Sequence, residues 1–123
     1  MNLLDAVLDW DETTLRARAR NHRDPGHPMR RGAELPITAG IEYGAQAAAA
    51  HGAAAAQAPS GAGLIASVRS VAFHARRLDD LPGDLEIRAE QVGGGAAGVL
   101  YRFEVASAGR LLVEGRVTVA FTR

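Results

Sequence analysis

The chain has 123 residues, 47% of them hydrophobic, which suits one compact domain and leaves no room for a second. Arginine supplies all 14 positive charges and 14 acidic residues balance them, so the net charge of zero indicates neither nucleic acid nor an anionic membrane as a partner. The sequence contains no cysteine, which excludes disulfides, thiolate metal ligands and cysteine nucleophiles.

The chain begins with an acidic segment. Leu3 to Trp10 is too acidic, and too short in its apolar part, for a signal peptide, and no segment is strongly apolar over the length of a membrane span. We therefore expect a cytoplasmic protein. The hydrophobic period of this segment fits either a short strand or one helical turn. Thr13 to Arg20 alternates between polar and apolar residues, which predicts a half-buried strand, and a loop rich in proline and glycine follows from His22 to Leu35.

The alanine-rich segment from Ile37 to Gln57 predicts one long helix, because alanine is the best helix former and no β-branched cluster competes for a strand. Pro36 stands where a proline is tolerated at a helix start, and Pro59 ends the helix. Glu42 is the one charged residue of this segment, so we predict a helix buried all round, with a carboxylate in apolar surroundings.

The second half of the chain reads as strands. Leu81 to Asp84 is a strong turn signal, and Gly93 to Gly95 reads as a flexible hairpin turn. Alternating segments predict strands at Leu64 to Arg76, Leu85 to Val92, Val99 to Ala106 and Leu111 to Phe121. The sequence thus predicts an α+β fold over residues 1–123, with a five- to six-stranded antiparallel sheet wrapped around one buried helix.

The order of these elements and the glycine-rich last hairpins resemble the hotdog fold. Three stretches are also similar to the β-hydroxyacyl-carrier-protein dehydratases, which carry a His-x-Pro-Gly-His-Pro loop before their helix. The matching residues are the loop His22 to Pro28, then Pro36, and the helical segment Gly40 to Gln46. The spacings from Pro36 to Glu42 and from Glu42 to Gln46 are those of the family, whereas the loop between His22 and Pro36 contains an insertion.

The chain resembles most closely a divergent branch of predicted 3-hydroxyacyl-carrier-protein dehydratases. The shared features are a His-Arg-Asp-Pro loop, an Arg-Arg insertion, a Gly-Ile-Glu-Tyr helix start and the runs Leu78 to Leu81 and Leu100 to Phe103. Members often belong to polyene pigment biosynthesis, and fatty-acid-like or polyketide chains are the implied substrates. They tend to begin with an extra apolar segment, so we expect that an N-terminal piece precedes Leu3.

The resemblance implies a site for dehydrating 3-hydroxyacyl thioesters held on the phosphopantetheine of an acyl carrier protein, without a metal or redox cofactor. A neutral histidine is suited to remove the α-proton, and we favour His22, with His27 as the alternative base. Glu42 would donate a proton to the departing hydroxyl, since apolar surroundings favour the protonated carboxylic acid. The histidine and the acid would come from different subunits of a dimer, either a homodimer or a heterodimer with another hotdog subunit.

Other residues of the loop and helix receive supporting roles. The free N–H groups around Ile37 and Thr38, next to Pro36, would polarise the thioester carbonyl, and Gln46 would orient the acid. Tyr43 would line the acyl tunnel or simply pack in the core. Three arginines of the loop would contact the carrier or its phosphate, although solvated loop arginines are the common alternative. They are Arg23, Arg30 and Arg31.

Several alternatives stay open at this level. Each loop histidine could instead be a polar side chain packed beside a proline. We expect His51 to interact with the C-terminal end of the helix and His74 to be exposed, and no spacing of ligands supports a metal site. A hotdog thioesterase, or a degenerate subunit that supports an active hotdog partner, are the competing functions. The loop insertion, Ile37 where the family has a glycine, and the short N-terminus keep the degenerate subunit open as an alternative.

Overall fold

A computed structural model describes residues 2–56, 63–95 and 98–121, and it shows one helix packed on one six-stranded sheet. In chain order the elements are β1 Ala6–Trp10, β2 Thr14–Ala19, a 3₁₀ turn Asn21–Arg23, α1 Ala39–Ala56, β3 Gly63–Phe73, β4 Leu85–Gly95, β5 Gly98–Ser107 and β6 Arg110–Phe121. The strand order is β1-β2-β4-β5-β6-β3, and every neighbouring pair is antiparallel. The predicted α+β architecture is confirmed. Within the described residues, no helix is long and apolar enough to cross a membrane.

The core lies between α1 and the inner face of the sheet. Alternate residues of the strands point to the helix and are buried, as the period of two in the sequence predicts. The buried hydrophobic strand residues are Leu15, Ala17 and Ala19 of β2, Leu85, Ile87 and Ala89 of β4, Tyr101, Phe103 and Val105 of β5, and Leu112, Val113, Val117 and Val119 of β6. The helix contributes five buried alanine and tyrosine residues, namely Ala39, Tyr43, Ala45, Ala47 and Ala48.

Two glycines, one turn apart, let the helix lie close to the sheet. A Cβ atom on Gly40 would stand 2.4 Å from Cγ1 of Val113, and one on Gly44 would stand 2.1 Å from Cδ1 of Phe103. Real Cβ atoms do not approach other heavy atoms so closely, so the helix could not hold this position with alanine at either place. The small side chains of the helix therefore set the distance between the two layers.

The helix begins later than predicted. It starts at Ala39, and three successive short-range bonds precede it, from Ala39 N to Pro36 O (3.0 Å), Gly40 N to Ile37 O (2.9 Å) and Ile41 N to Thr38 O (3.1 Å). Ile37 is held outside the helix because its N–H donates to the carbonyl of Arg76 at 3.0 Å. The predicted end at Gln57 and the stop at Pro59 lie outside the described residues.

Three strand predictions need adjustment. The first segment, whose period left two possibilities, is a strand paired with β2. β3 ends at Phe73, before the predicted limit at Arg76, because the chain leaves the sheet there and contacts the helix start instead. The predicted hairpin turn at Gly93 to Gly95 is wrong. These glycines belong to β4 and pair with residues of β5.

The predicted role of His51 is also wrong. Its ring is fully buried, with Nδ1 2.8 Å from the Tyr101 hydroxyl and Nε2 2.9 Å from the backbone oxygen of Asp11. Since a carbonyl only accepts, Nε2 carries the proton and Nδ1 accepts from the hydroxyl. His51 therefore ties the helix to β5 and to the turn after β1. His74 is exposed, as predicted, and lies 2.9 Å from a carboxylate oxygen of Glu114.

Candidate active site

One short segment, residues 76–82, holds both the histidine loop and the start of the helix. The carbonyl of Arg76 accepts the Ile37 N–H at 3.0 Å. Five residues later, the carbonyl of Leu81 lies 3.0 Å from Nε2 of His22. The segment therefore fixes the position of the histidine relative to the helix start, although the two are far apart in the sequence.

The inserted loop is fastened to the same segment. The Leu35 N–H donates to Oδ1 of Asp79 at 2.8 Å, and the Leu78 N–H donates to the Leu35 carbonyl at 2.9 Å. Arg77 forms an ion pair with Asp79, and this contact, with the Leu35 N–H, lowers the pKa of Asp79 to about 2. These bonds fasten the inserted loop to the run Leu78 to Leu81.

His22 has one ring nitrogen held and the other unpartnered. The side chain is fully buried, and Nε2 must carry the proton because the Leu81 carbonyl can only accept it. Nδ1 is buried and has no hydrogen-bond partner among the described residues. Burial lowers the pKa of His22, while the backbone at Leu81 and Gly83 opposes that effect. His22 is thus a neutral imidazole whose basic lone pair is not used by the fold.

His27 differs in this respect, because the protein uses both of its ring nitrogens. The Met29 N–H donates to Nδ1 at 3.1 Å, and Nε2 lies 3.1 Å from the hydroxyl of Tyr43. That hydroxyl donates to Oδ1 of Asn21, so it accepts the proton of His27 Nε2. Burial also lowers the pKa of His27. A neutral ring with both nitrogens engaged is a structural part of the core, and this favours His22 as the base.

Tyr43 faces the core, and its hydroxyl is central to this arrangement. The side chain is fully buried, and burial raises the pKa of the phenol far above its usual value. It therefore remains a neutral donor that joins the helix to the histidine loop through Asn21. Of the two readings of Tyr43 from the sequence, the core tyrosine is the one seen in the single chain.

Glu42 is not desolvated in the single chain, contrary to the sequence-based expectation. Its side chain is exposed, because α1 has one open face as well as its buried face. Gln46 donates from Nε2 to Oε1 of Glu42 at 3.3 Å. The Leu3 N–H donates to Oε1 of Gln46 at 2.7 Å, which fixes the amide so that its nitrogen faces the acid. The predicted contact of Gln46 with the acid is therefore present.

Leu3 connects the two parts of the site through its own backbone. Its N–H holds Gln46, and its carbonyl accepts from Nδ2 of Asn21 at 3.3 Å. Asn21 in turn accepts from Tyr43. The side chain of Leu3 is fully buried, so this N-terminal residue is anchored in the core. A continuous series of hydrogen bonds thus runs from the acid on the helix to the histidine loop.

At the start of the helix, only one of the two predicted N–H groups is available. The Ile37 N–H is bound to the Arg76 carbonyl, so the expectation that it faces a substrate is wrong. Thr38 is exposed, and its N–H has no acceptor among the described residues. Pro36, partly buried, forms a bridge with Arg77 just before this point. Thr38 is therefore the backbone donor that a thioester oxygen could use.

The three loop arginines do not form one free basic edge. Arg23 donates to the carbonyl of Pro82 at 2.5 Å. Arg30 donates to the carbonyls of Ala33, at 2.8 Å, and of His22, at 3.4 Å. Arg31 is exposed. Two of the three guanidinium groups therefore stabilise the loop, which corrects the expectation that all three face a carrier.

Sequence reasoning missed three members of this arrangement. Asn21 stands next to His22 in the sequence, and it gives no signal beyond being a polar residue before a loop. The contacts of Leu3 and Leu81 come from backbone atoms, which no side-chain pattern can show. Among the described residues, no cluster of three or more histidine, aspartate and glutamate side chains could hold a metal ion. The absence of a metal stays a prediction.

Comparisons with known proteins show the family and the fold of the chain. The model of the ApeP-like family, described as ApeP dehydratase, matches residues 1–122. The chain belongs to this family. Among solved structures, the chain is similar to the dehydratase heterocomplex ApeI:P from Xenorhabdus doucetiae, with a TM-score of 0.84 and 18% identity over 99% of this chain and 84% of that chain.

Other solved structures extend the likeness. The crystal structure of AziG from S. sahachiroi has a TM-score of 0.70 and 20% identity, over 96% of this chain and 90% of that chain. A mutant of thioesterase PA1618 from Pseudomonas aeruginosa has a TM-score of 0.68 and 14% identity, over 93% of this chain and 78% of that chain. No curated protein matches the sequence. Identities this low show the fold, and they confirm the predicted hotdog architecture.

Proposed function

We propose that this member of the ApeP-like family removes water from 3-hydroxyacyl thioesters carried on an acyl carrier protein and releases trans-2-enoyl thioesters. The observation that carries the proposal is the buried and unpartnered Nδ1 of His22, whose ring is held through Nε2 by the Leu81 carbonyl. A neutral base held in one tautomer is what removal of an α-proton requires. The family match supports the reaction class.

In this mechanism His22 Nδ1 takes the proton from the α-carbon, and those electrons form the new carbon–carbon double bond. The bond between the β-carbon and its hydroxyl oxygen breaks, and Glu42 gives its carboxyl proton to that oxygen, so that water leaves. Gln46 binds Oε1 of Glu42, which leaves Oε2 for the proton. The Thr38 N–H stabilises the negative charge that develops on the thioester oxygen. Return of the proton from His22 to Glu42 restores the starting state.

A second subunit completes the proposed site. The open face of α1 bears Glu42 among Ile41, Ala49 and Ala50, whereas the open face of a surface helix is normally charged. A partner that covers this face would desolvate Glu42 and favour its protonated form. We propose a homodimer, or a heterodimer with another hotdog subunit, joined edge to edge through β3. This edge strand has 11 residues, compared with 5 in the opposite edge strand β1.

One observation favours a second candidate function, hydrolysis of the thioester. In the single chain Glu42 is exposed and accepts an N–H from Gln46, an arrangement that also suits an ionised carboxylate activating water. The likeness to a thioesterase structure extends over most of the chain. The two functions differ in their products, an enoyl thioester or a free thiol.

The test uses a 3-hydroxyacyl thioester of pantetheine, with the protein alone and with a candidate hotdog partner, while sedimentation measures the assembly. We expect the absorbance of a conjugated enoyl thioester. This absorbance should be lost in the variant Glu42→Gln and kept in the control Glu86→Gln, which changes an exposed carboxylate of β4. Free thiol without enoyl absorbance would identify a thioesterase. Activity of the complex that survives both Glu42→Gln and His22→Ala would identify this chain as a degenerate supporting subunit. Independence from metal, and a cytoplasmic location, stay predictions.

A further inference from the structure

A surface pocket of about 160 Å³ lies on the segment that positions the two halves of the candidate site. Its lining consists of Ala75, Arg76, Arg77, Asp80, Leu81 and Arg110. Five of these six residues come from the chain that follows β3, and Arg110 is the first residue of β6. The pocket therefore contains three guanidinium groups and one carboxylate.

The three arginines are not equally occupied by the protein. Arg77 is surrounded by carboxylates, since it pairs with Glu34, Asp79 and Asp80. Arg76 bonds to Glu34 through one terminal nitrogen, Nη1, and its side chain is 70% exposed. Two of its guanidinium nitrogens thus stay open to another acceptor.

Arg110 is the least occupied of the three. Its Nη2 donates to the carbonyl of His74 at 3.2 Å, and among the described residues its guanidinium forms no ion pair. An arginine that forms no ion pair retains the donors and the charge that bind a phosphate. Arg76 and Arg110 therefore offer unused donors in the same pocket, while Arg77 serves the fold.

The position of the pocket relates it to the chemistry. Leu81, one of its walls, is the residue whose carbonyl holds Nε2 of His22. Arg76, another wall, is the residue whose carbonyl holds the Ile37 N–H, next to the open N–H of Thr38. A ligand group bound in the pocket would therefore be attached to the one segment that fixes both the base and the proposed thioester donor.

We propose that this pocket binds the phosphate of the phosphopantetheine arm that presents the acyl chain, with Arg110 and Arg76 as the donors. The proposal rests on the carrier-bound substrate argued above. It assigns the anion site to Arg76 and Arg110 in place of Arg23 and Arg30, which the loop already uses. Holding the phosphate there would orient the arm so that its thioester reaches the site.

The experiment measures binding and needs no turnover. Amide resonances of the protein, alone and in its complex with a hotdog partner, are followed during titration with 4′-phosphopantetheine and with pantetheine, which lacks the phosphate. We expect 4′-phosphopantetheine to shift the amides of residues 75–81 and of Arg110, and to bind more weakly as salt is added. Equal binding of the two compounds, or shifts confined to other residues, would overturn the proposal.

Matched variants locate the charge. Arg110→Gln should weaken binding of 4′-phosphopantetheine by about tenfold, as expected for one charge-assisted contact, and leave pantetheine unaffected. Arg116→Gln removes an exposed arginine of β6 and should change neither. Equal losses of affinity for 4′-phosphopantetheine in the two variants would show that only the overall charge of the protein matters, and would reject the site. Arg110 is the first residue of β6 and its side chain makes a single hydrogen bond, to the carbonyl of His74, so its variant should fold.

Coenzyme A is the third ligand to be tested, because it presents the same phosphate joined to a nucleotide. Binding equal to that of 4′-phosphopantetheine assigns the pocket to the shared phosphate, whereas much tighter binding of coenzyme A would reject the carrier as its source. Binding of 4′-phosphopantetheine in the pocket without formation of an enoyl product would support this inference and reject the proposed dehydration. Formation of the enoyl product without binding in the pocket would support the reaction and reject the pocket as the phosphate site.

Discussion

The Nε2 atom of His22 lies 3.0 Å from the carbonyl oxygen of Leu81, on the opposite side of the ring from an Nδ1 atom that has no partner among the described residues. A backbone carbonyl in this place decides which nitrogen carries the proton, and so which nitrogen can act as a base. The fold thereby supplies a defined tautomer through a residue that is 59 positions away in the sequence.

The first prediction compares the two loop histidines. His22→Ala should lower kcat by roughly a hundredfold to ten-thousandfold, the usual contribution of a general base, because no other free imidazole replaces it. His27→Ala should retain most of the rate and lose stability, since it leaves the buried hydroxyl of Tyr43 without its donor. Steady-state kinetics and urea unfolding of both variants separate the effects. A larger rate loss in His27→Ala would transfer the role of base to His27.

The pH profile gives a second prediction about the same residue. A base acts in its deprotonated form, and burial moves the pKa of His22 below its ordinary value of 6.5. The acidic limb of kcat/KM should therefore lie below pH 6.5. Measurement of kcat/KM against pH in constant ionic strength checks this. A limb above pH 6.5 would mean that another group controls the rate.

The third prediction concerns Gln46, which orients the acid. Gln46→Leu removes both the donor to Glu42 and the acceptor for the Leu3 N–H, so kcat should fall about tenfold or more while KM changes little. Ala49→Leu adds a side chain of the same size on the same open face of α1, and serves as the control for bulk. Equal effects of the two substitutions on kcat would show that Gln46 acts only through packing.

The sequence was sufficient for the architecture and for part of the site. Alternation and alanine content predict the sheet and helix, because burial against a single layer imposes those periods. The spacing from Glu42 to Gln46 predicts their contact, since residues four apart share a helix face. The partners of His22 and Gln46 are backbone atoms of Leu81 and Leu3, and backbone partners leave no trace in residue types.

The errors have the same physical origin. The position of His51 predicts a role at the helix end, whereas its hydroxyl partner Tyr101 is 50 positions away and gives no local signal. The lack of any other charge on the helix predicts apolar surroundings for Glu42, yet a face without charge can also be one that a second subunit covers. Local patterns thus predict which residues are buried, but not whether other parts of the same chain or a second subunit bury them.

The fourth prediction tests the close approach of the helix to the sheet. Glycine to alanine in a helix normally stabilises a protein by about 1 kcal/mol, but at Gly44 the new Cβ would lie 2.1 Å from Cδ1 of Phe103. We expect Gly44→Ala to lower the free energy of unfolding by about 1–3 kcal/mol through overpacking. Gly95→Ala, where nothing lies within 4 Å, should be tolerated. Urea unfolding of both variants would reject the packing argument if their losses were equal.

The last prediction concerns Asp79, which fastens the inserted loop. Its pKa of about 2 in the folded protein, against an ordinary value of 3.8, means that the charged form is favoured by folding. The lowered pKa contributes at most about 2 kcal/mol to the free energy of unfolding. This contribution is present above pH 4 and disappears as the pH falls from about 4 to 2. Asp79→Asn should therefore lower the free energy of unfolding at pH 7, and this difference should shrink below pH 4. Asp80→Asn, which changes an exposed carboxylate 3.8 Å from Arg77, is the control and should have little effect at either pH. A difference for Asp79→Asn that stayed constant down to pH 2 would show that shape, and not charge, connects the loop to the segment holding His22.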